Sequence, residues 1–247
     1  MLTVRENFLE TIHGGKPDRF VKQYEFMKHV MDPARADLKR PINDGIPLVD
    51  NWGVTKVWPI GTPGPFPIHD AEHIVCKDIE NWRDYVKMPK LDYPVSEWER
   101  YGELAKQIDR SEYFAATFVS PGMFEELHYL CEIQNALIAF YEYPDEVAEM
   151  MDYIEEYEMR LAELVCKYIK PDALFHHDDW GSQQSTFLKP EMFREFIKPH
   201  YEKVYGYYKD NGVEIIVHHS DSYAETLVPD MIDMHIDLWQ GVMNCSR

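Results

Sequence analysis

Two stretches decide the fold: Asp172-Ala-Leu-Phe-His176-His177-Asp178-Asp179-Trp180 and Val213-Glu-Ile-Ile-Val-His218-His219-Ser220-Asp221. Each is an apolar run of strand length that ends in two histidines and then acid. Such runs, set between helical patterns, read as buried strands of a parallel sheet. In parallel α/β folds the chemistry collects where the strands end on their carboxyl side. Two such ends, each with two imidazoles and a carboxylate, make a candidate active site.

The neighbouring sequence supports that reading. Upstream, Met150, Ile154, Tyr157, Leu161, Leu164 and Tyr168 alternate four and three apart. That spacing predicts one buried helical face over 145–169, which Pro171 ends. Further back, Tyr113 to Val119 (YFAATFV) predicts a strand closed by Ser120-Pro121-Gly122, with a helix at about 123–141. Between the two His-His runs, Pro190 sits at a helix start and a buried face runs to about Asp210. Pro199 should kink or divide that helix. A helix at about 223–234 and a last strand at 236–243 follow.

The first 110 residues are less regular. Thr3 and Glu6 stand at capping-box spacing and predict a helix over 3–13. Residues 19–26 (RFVKQYEF) and 51–58 read as strands, and Gly61 to Pro67 as an irregular loop. About six strands result. Regular strand–helix alternation implies β-α-β units and a parallel sheet. The expected fold class is α/β, an incomplete (β/α)8 TIM barrel of about six strands, in one domain over 1–247.

Composition narrows the partners. The formal net charge is -19, which argues against nucleic acid or an anionic membrane surface. No run approaches the ~20 apolar residues of a membrane span. The charged N-terminus has no apolar leader region. Cys76, Cys131, Cys166 and Cys245 are scattered, with no CxxC spacing, so a reducing, cytoplasmic location is expected.

The segments DDWGSQQSTFLKPEMFREFIKPHY (178–201), NGVEIIVHHSD and IDLWQGVM, with the opening RENFLETIHGGKPDRF, resemble the uroporphyrinogen decarboxylase superfamily. That resemblance implies a (β/α)8 barrel with its site in the funnel at the strand ends. It also implies two further strands after Met243, where this sequence ends in Asn-Cys-Ser-Arg, so a C-terminally truncated barrel is expected. The superfamily includes tetrapyrrole decarboxylases and zinc-using, cobalamin-dependent methyltransferases. The decarboxylases carry an arginine-rich segment after the first strand. Here it reads KQYEFMKHVMDP, without arginine. The methyltransferases carry a His-x-Cys pair; His218 matches its histidine, and Ser220 stands at the cysteine.

On a strand, residues two apart share a face. His176 therefore goes with Asp178, His177 with Asp179, His218 with Ser220 and His219 with Asp221. The resemblance implies that His218 and Asp178 face the funnel. The first-choice cluster, catalytic or metal-binding, is therefore His176, Asp178 and His218. His219 and Asp221 come second, with His177, Asp179, Trp180, Tyr24 and Gln240 as substrate contacts. Imidazole plus carboxylate suits Zn²⁺. The plainer alternatives are imidazoles that hydrogen-bond substrate or one another, and acids that cap a helix.

Three functions fit this reading. The first moves a methyl group between a small methylated compound and a corrinoid carried on a partner protein. The second decarboxylates a tetrapyrrole-like substrate held by Lys22, Lys28 or Lys56. The third is a non-catalytic binding relative. A homodimer is expected from the open sheet edges.

Overall fold

The computed structural model describes residues 1–243. Cys245 and the terminal Asn-Cys-Ser-Arg lie outside them. Helix α1 (Val4–Ile12) begins at the expected capping box, with Thr3 and Glu6 bonded reciprocally. Strand β1 is Met27–His29, not 19–26. Residues 22–25 instead close a turn: Glu25 N–H donates to the Lys22 carbonyl at 3.0 Å, and Tyr24 takes a positive φ of 61°. Arg19, paired with Glu25 at 2.7 Å, holds that turn from outside.

Helix α2 (Pro33–Ala36) precedes β2 (Leu48–Val49), β3 (Thr55–Val57) and β4 (Phe66–Pro67). These three strands form a separate antiparallel sheet. The strand expected at 51–58 therefore leaves the main sheet. Helices α3 (Trp82–Tyr85) and α4 (Val95–Ala105) lead to β5 (Phe114–Val119). Then come α5 (Met123–Cys131), α6 (Ile133–Glu142) and α7 (Pro144–Tyr168). Glu132, at φ 72°, breaks the single helix expected at 123–141. Strand β6 is Ala173–His177. Next, α8 (Pro190–Phe196) and α9 (Lys198–Asp210) are the two halves that Pro199 divides. Strand β7 (Ile215–His219), a 3-10 turn at Glu225–Leu227, α10 (Val228–Asp233) and β8 (Leu238–Gln240) complete the described chain.

The main sheet is wholly parallel in the order β1-β5-β6-β7-β8. The α/β class and the incomplete (β/α)8 type stand, with five parallel strands rather than six, and the described strands do not close into a barrel. Among the described residues no helix is long and apolar enough to cross a membrane.

Alternation along the strands sorts side chains into two layers. Phe114, Ala116, Ala173, Phe175, Ile215 and Val217 face inward and pack with Val4 and Phe8 of α1. Ala115, Val119, Leu174 and Ile216 face the outer helices, where α7 and α9 supply Ile154, Tyr201, Val204 and Tyr205. At the amino end of the sheet, Asp172 collects Arg110 at 2.6 Å and Arg5 at 3.6 Å, and so pins α1 to the start of β6. The carboxyl ends carry the histidines.

Candidate active site

Strands β6 and β7 run in register through their ends: His176 lies opposite His218, and His177 opposite His219. The paired imidazoles do meet, but in two sets on opposite faces of the sheet. His176 and His218 point to the helices, with ring centroids 6.2 Å apart. His177 and His219 point inward, 4.3 Å apart.

The outer set is sealed. His176, Asp178 and His218 are all fully buried. His176 Nε2 bonds Glu158 of α7 at 2.9 Å. His218 Nδ1 meets the Tyr205 hydroxyl at 2.9 Å, and Trp180 stacks on its ring at 3.8 Å. Burial, with the neighbouring imidazoles, pushes the His218 pKa well below its ordinary value, so the ring is neutral. Asp178 accepts the backbone N–H groups of Phe124 at 3.2 Å and Glu125 at 2.7 Å, the first turn of α5. It also accepts Trp180 Nε1 at 2.9 Å and the Tyr201 hydroxyl. Burial raises its pKa to about 6 despite these donors.

The expectation that Asp178 and His218 face the funnel is thus corrected. Asp178 caps a helix, and the helix is the preceding one. The approach is so close that a Cβ on Gly122 would fall 2.5 Å from Asp178 Cβ and 2.6 Å from His176 Cε1. Ser220, at the family's cysteine position, is also fully buried. Its hydroxyl bonds Ser222 at 2.9 Å and accepts the Trp180 N–H at 3.1 Å. The His218–Ser220 pair is therefore not presented to a substrate, and Trp180 is an interior wall, not a contact surface.

The inner set is open. His177, Asp179 and His219 each offer a donor atom, all within 4.8 Å of one another. His219 Nδ1 meets Gln240 Oε1 on β8. An amide oxygen can only accept, so Nδ1 carries a proton and Nε2 is the nitrogen left to ligate. Asp221 stands 3.6 Å from that Nε2 and is 60% exposed. Asp179 accepts the Asp221 backbone N–H at 2.6 Å, which fixes its carboxylate. Burial pushes the His177 pKa down to about 3, so its imidazole is neutral and able to ligate. Two imidazoles and a carboxylate suit a borderline divalent ion, and the hydrogen bond from His219 to Gln240 is the kind of support such ligands use.

Below these groups lies an aromatic floor. Phe118 and Phe175 stack at 4.9 Å, and Tyr24 and His29 meet Phe175 edge-on at 5.9 and 6.5 Å. The structure therefore brings together His177, Asp179, His219, Asp221, Gln240 and Tyr24 of the residues singled out from sequence.

Other residues enter unannounced. Glu125 of α5 stands 3.3 Å from His177 Nε2. Burial, then the Asp178 and Asp179 charges, raise its pKa well above the carboxylate range, so this is a contact between neutral groups. Arg35, from α2, lies over the Phe118 ring at 4.2 Å. Two acids in the first turn of a helix are ordinary in sequence. Only the close approach of Ser120-Pro121-Gly122 to β6 carries Glu125 to the site.

The sequence profile of uroporphyrinogen decarboxylase (URO-D) matches residues 103–241, more than half of the chain. A search of curated proteins gives no significant match. Among solved structures, a methyltransferase from Methanosarcina mazei superposes with a TM-score of 0.61 at 12% identity, covering 97% of this chain and 76% of that one. At that identity the likeness speaks to the fold. Taken with the matched profile, it means that the chain belongs to the URO-D family.

Proposed function

We propose that the protein is a URO-D family enzyme that moves a methyl group between a small methylated compound and a corrinoid carried on a partner protein. The observation that carries the reading is the inward cluster of His177, Asp179 and His219 at the carboxyl ends of adjacent parallel strands. The similarity in fold to a methyltransferase is consistent with it. His177, Asp179 and His219 would hold a divalent ion such as zinc. That ion would supply Lewis acidity toward the donor's heteroatom.

The chain's own groups do the rest. Gln240 fixes the His219 tautomer, and Asp221 is placed to handle a proton at the mouth. The stacked Phe118 and Phe175 offer a flat apolar bed for the donor. The methyl group leaves the heteroatom for the corrinoid carrier, and the bonding pair stays on the heteroatom, which takes up a proton when product forms. A homodimer covering the free edges of β1 and β8 belongs to the same reading.

The test supplies purified full-length protein with a panel of methylated thiols, amines and methoxyarenes. Each is assayed with and without a reduced corrinoid protein, and the demethylated product is measured by mass spectrometry. Product should form only with the corrinoid protein and should vanish in His219→Ala. Turnover without any corrinoid protein would sink the proposal.

One observation favours the second reading. Arg35 reaches the Phe118 ring, so the mouth has an arginine that the segment KQYEFMKHVMDP lacks. Two of the lysines expected for this role are placed otherwise. Lys56 is paired with Asp50 at 2.7 Å, and Lys28 lies over the Tyr113 ring at 4.1 Å. Release of CO₂ from a polycarboxylate, lost in Arg35→Gln, would establish decarboxylation instead.

A further inference from the structure

We propose that a cleft on the helix side of β5 is a second binding site, for a small protonated amine, anchored by Glu126. The cleft lies between the end of β5, α7 and the loops around residues 32–38, 50–52 and 89–93. Its cavity volume is about 70 Å³. Its walls include Trp52, Tyr93 and Tyr157, and its polar lining includes Glu126, Glu158, Asp50 and Asp32.

Glu126 is the anomaly. It is 2% exposed, and neither carboxylate oxygen has a hydrogen-bond partner. Buried polar groups are nearly always bonded, and each missing partner is costly. The surrounding acids are already engaged. Glu158 bonds His176, and Asp32 caps α2 through the Arg35 N–H. Asp50 accepts the Trp52 and Val54 N–H groups and holds Lys56. Of these four, Glu126 is the one whose two oxygens are both buried and unpaired among the described residues.

The missing partner must donate hydrogen bonds, and the lining's four acids outnumber its two cations, Arg35 and Lys90, so the balance favours a positively charged donor. Divalent ions want several oxygens at once. The described residues that gather three ligating groups within reach are elsewhere, at His177, Asp179 and His219 and at Asp152, Glu155 and His200. An alkylammonium ion matches better. Its N–H groups would fill the Glu126 oxygens, and its alkyl part would lie on the Trp52 and Tyr157 rings, which meet edge-on at 5.2 Å. Aromatic faces add cation–π attraction. The pocket shares Phe118 and Arg35 with the mouth but none of His177, Asp179 and His219, and the test reads amine binding at Glu126 rather than turnover, so this inference and the proposed methyl transfer can fail separately.

Calorimetry tests it on the full-length protein, stripped of metal by a chelator that is then dialysed away, and held above about pH 8 so that Glu126 is ionised. The probes are methylammonium, tetramethylammonium and magnesium chlorides, with methanol as the neutral control. Methylammonium should bind saturably at one site per chain, at least tenfold more tightly than tetramethylammonium, which has no N–H to donate. Methanol should not bind. Glu126→Gln should weaken methylammonium at least tenfold. Should that variant not fold, Trp52→Phe keeps the anchor and serves in its place: it should abolish the fluorescence change that methylammonium causes in the wild type. No saturable methylammonium binding, binding unchanged in Glu126→Gln, a fluorescence change that survives in Trp52→Phe, or preference for magnesium would each overturn the proposal.

Discussion

The outer and inner faces of β6 and β7 carry nearly the same residues, two histidines followed by an acid, and use them for opposite ends. On the outer face, His176, His218 and Asp178 are walled in by α5, α7, α9 and Trp180 and hold those elements to the sheet. On the inner face, His177, His219 and Asp179 meet at the mouth, each with an atom left to ligate. A shift of one residue along a strand is the whole difference, because successive side chains point to opposite sides. The comparison teaches that chemistry-bearing residue types are not evidence of chemistry until the face is known. It can be broken by substitutions that should hurt stability on one face and binding on the other.

The largest effect is expected from Asp178→Ala. It strands two N–H groups of α5, the Tyr201 hydroxyl and the Trp180 indole in a dry interior. Loss of such a network costs roughly 3–5 kcal/mol. Urea unfolding followed by circular dichroism should show the midpoint fall accordingly. A stable variant with a lost ligand affinity would invert the comparison.

His219→Ala should do the reverse. Zinc affinity, read by competition with a chromophoric chelator, should fall about 100-fold, equivalent to about 2.7 kcal/mol. The urea midpoint should move less than in Asp178→Ala, since the His219 ring bonds the Gln240 side chain and ties no helix to the sheet. If His218→Ala weakens zinc more than His219→Ala does, the inward cluster is the wrong one.

Gly122→Ala tests how tightly the outer face is closed. Its added methyl would overlap Asp178 and His176, and overpacking of this kind costs about 1–3 kcal/mol. Wild-type stability in that substitution would mean that the outer network has slack.

The smallest effect concerns pH. Burial raises the Glu126 pKa to about 8, with Asp50, Glu158 and Asp178 adding to it and Lys56 opposing. The unfolded carboxyl titrates near its ordinary 4.5. Between these values the folded chain binds the extra proton, so this group's contribution to stability declines as pH rises from about 4.5 to about 8 and is level above. Thermal melts of Glu126→Gln across that range should show a flatter profile than the wild type. A steeper one would mean that Glu126 is ionised and paired.

Much of the sheet could be read from the chain alone. The β5, β6 and β7 runs are unbroken apolar stretches with turn signals on both sides, and the stripe over 145–169 became α7 almost to the residue. The front of the molecule was less legible. RFVKQYEF alternates well enough to be a strand, but the Arg19–Glu25 pair and the positive φ of Tyr24 turn it back. Local side-chain pairing outweighed pattern there. Residues 55–57 did form a strand, and nothing in their sequence says which sheet they join.

The sequence by itself determined that two strands end in paired imidazoles and acids, that helices alternate with them, and that arginine is missing from residues 22–33. Those are properties of residue order and period. Only the tertiary structure decided which member of each pair is walled in, because burial depends on which helices land on which side. It also brought Glu125 to His177, Arg35 to Phe118 and left Glu126 unpaired in a cleft. These contacts join segments tens of residues apart, and no local spacing encodes them.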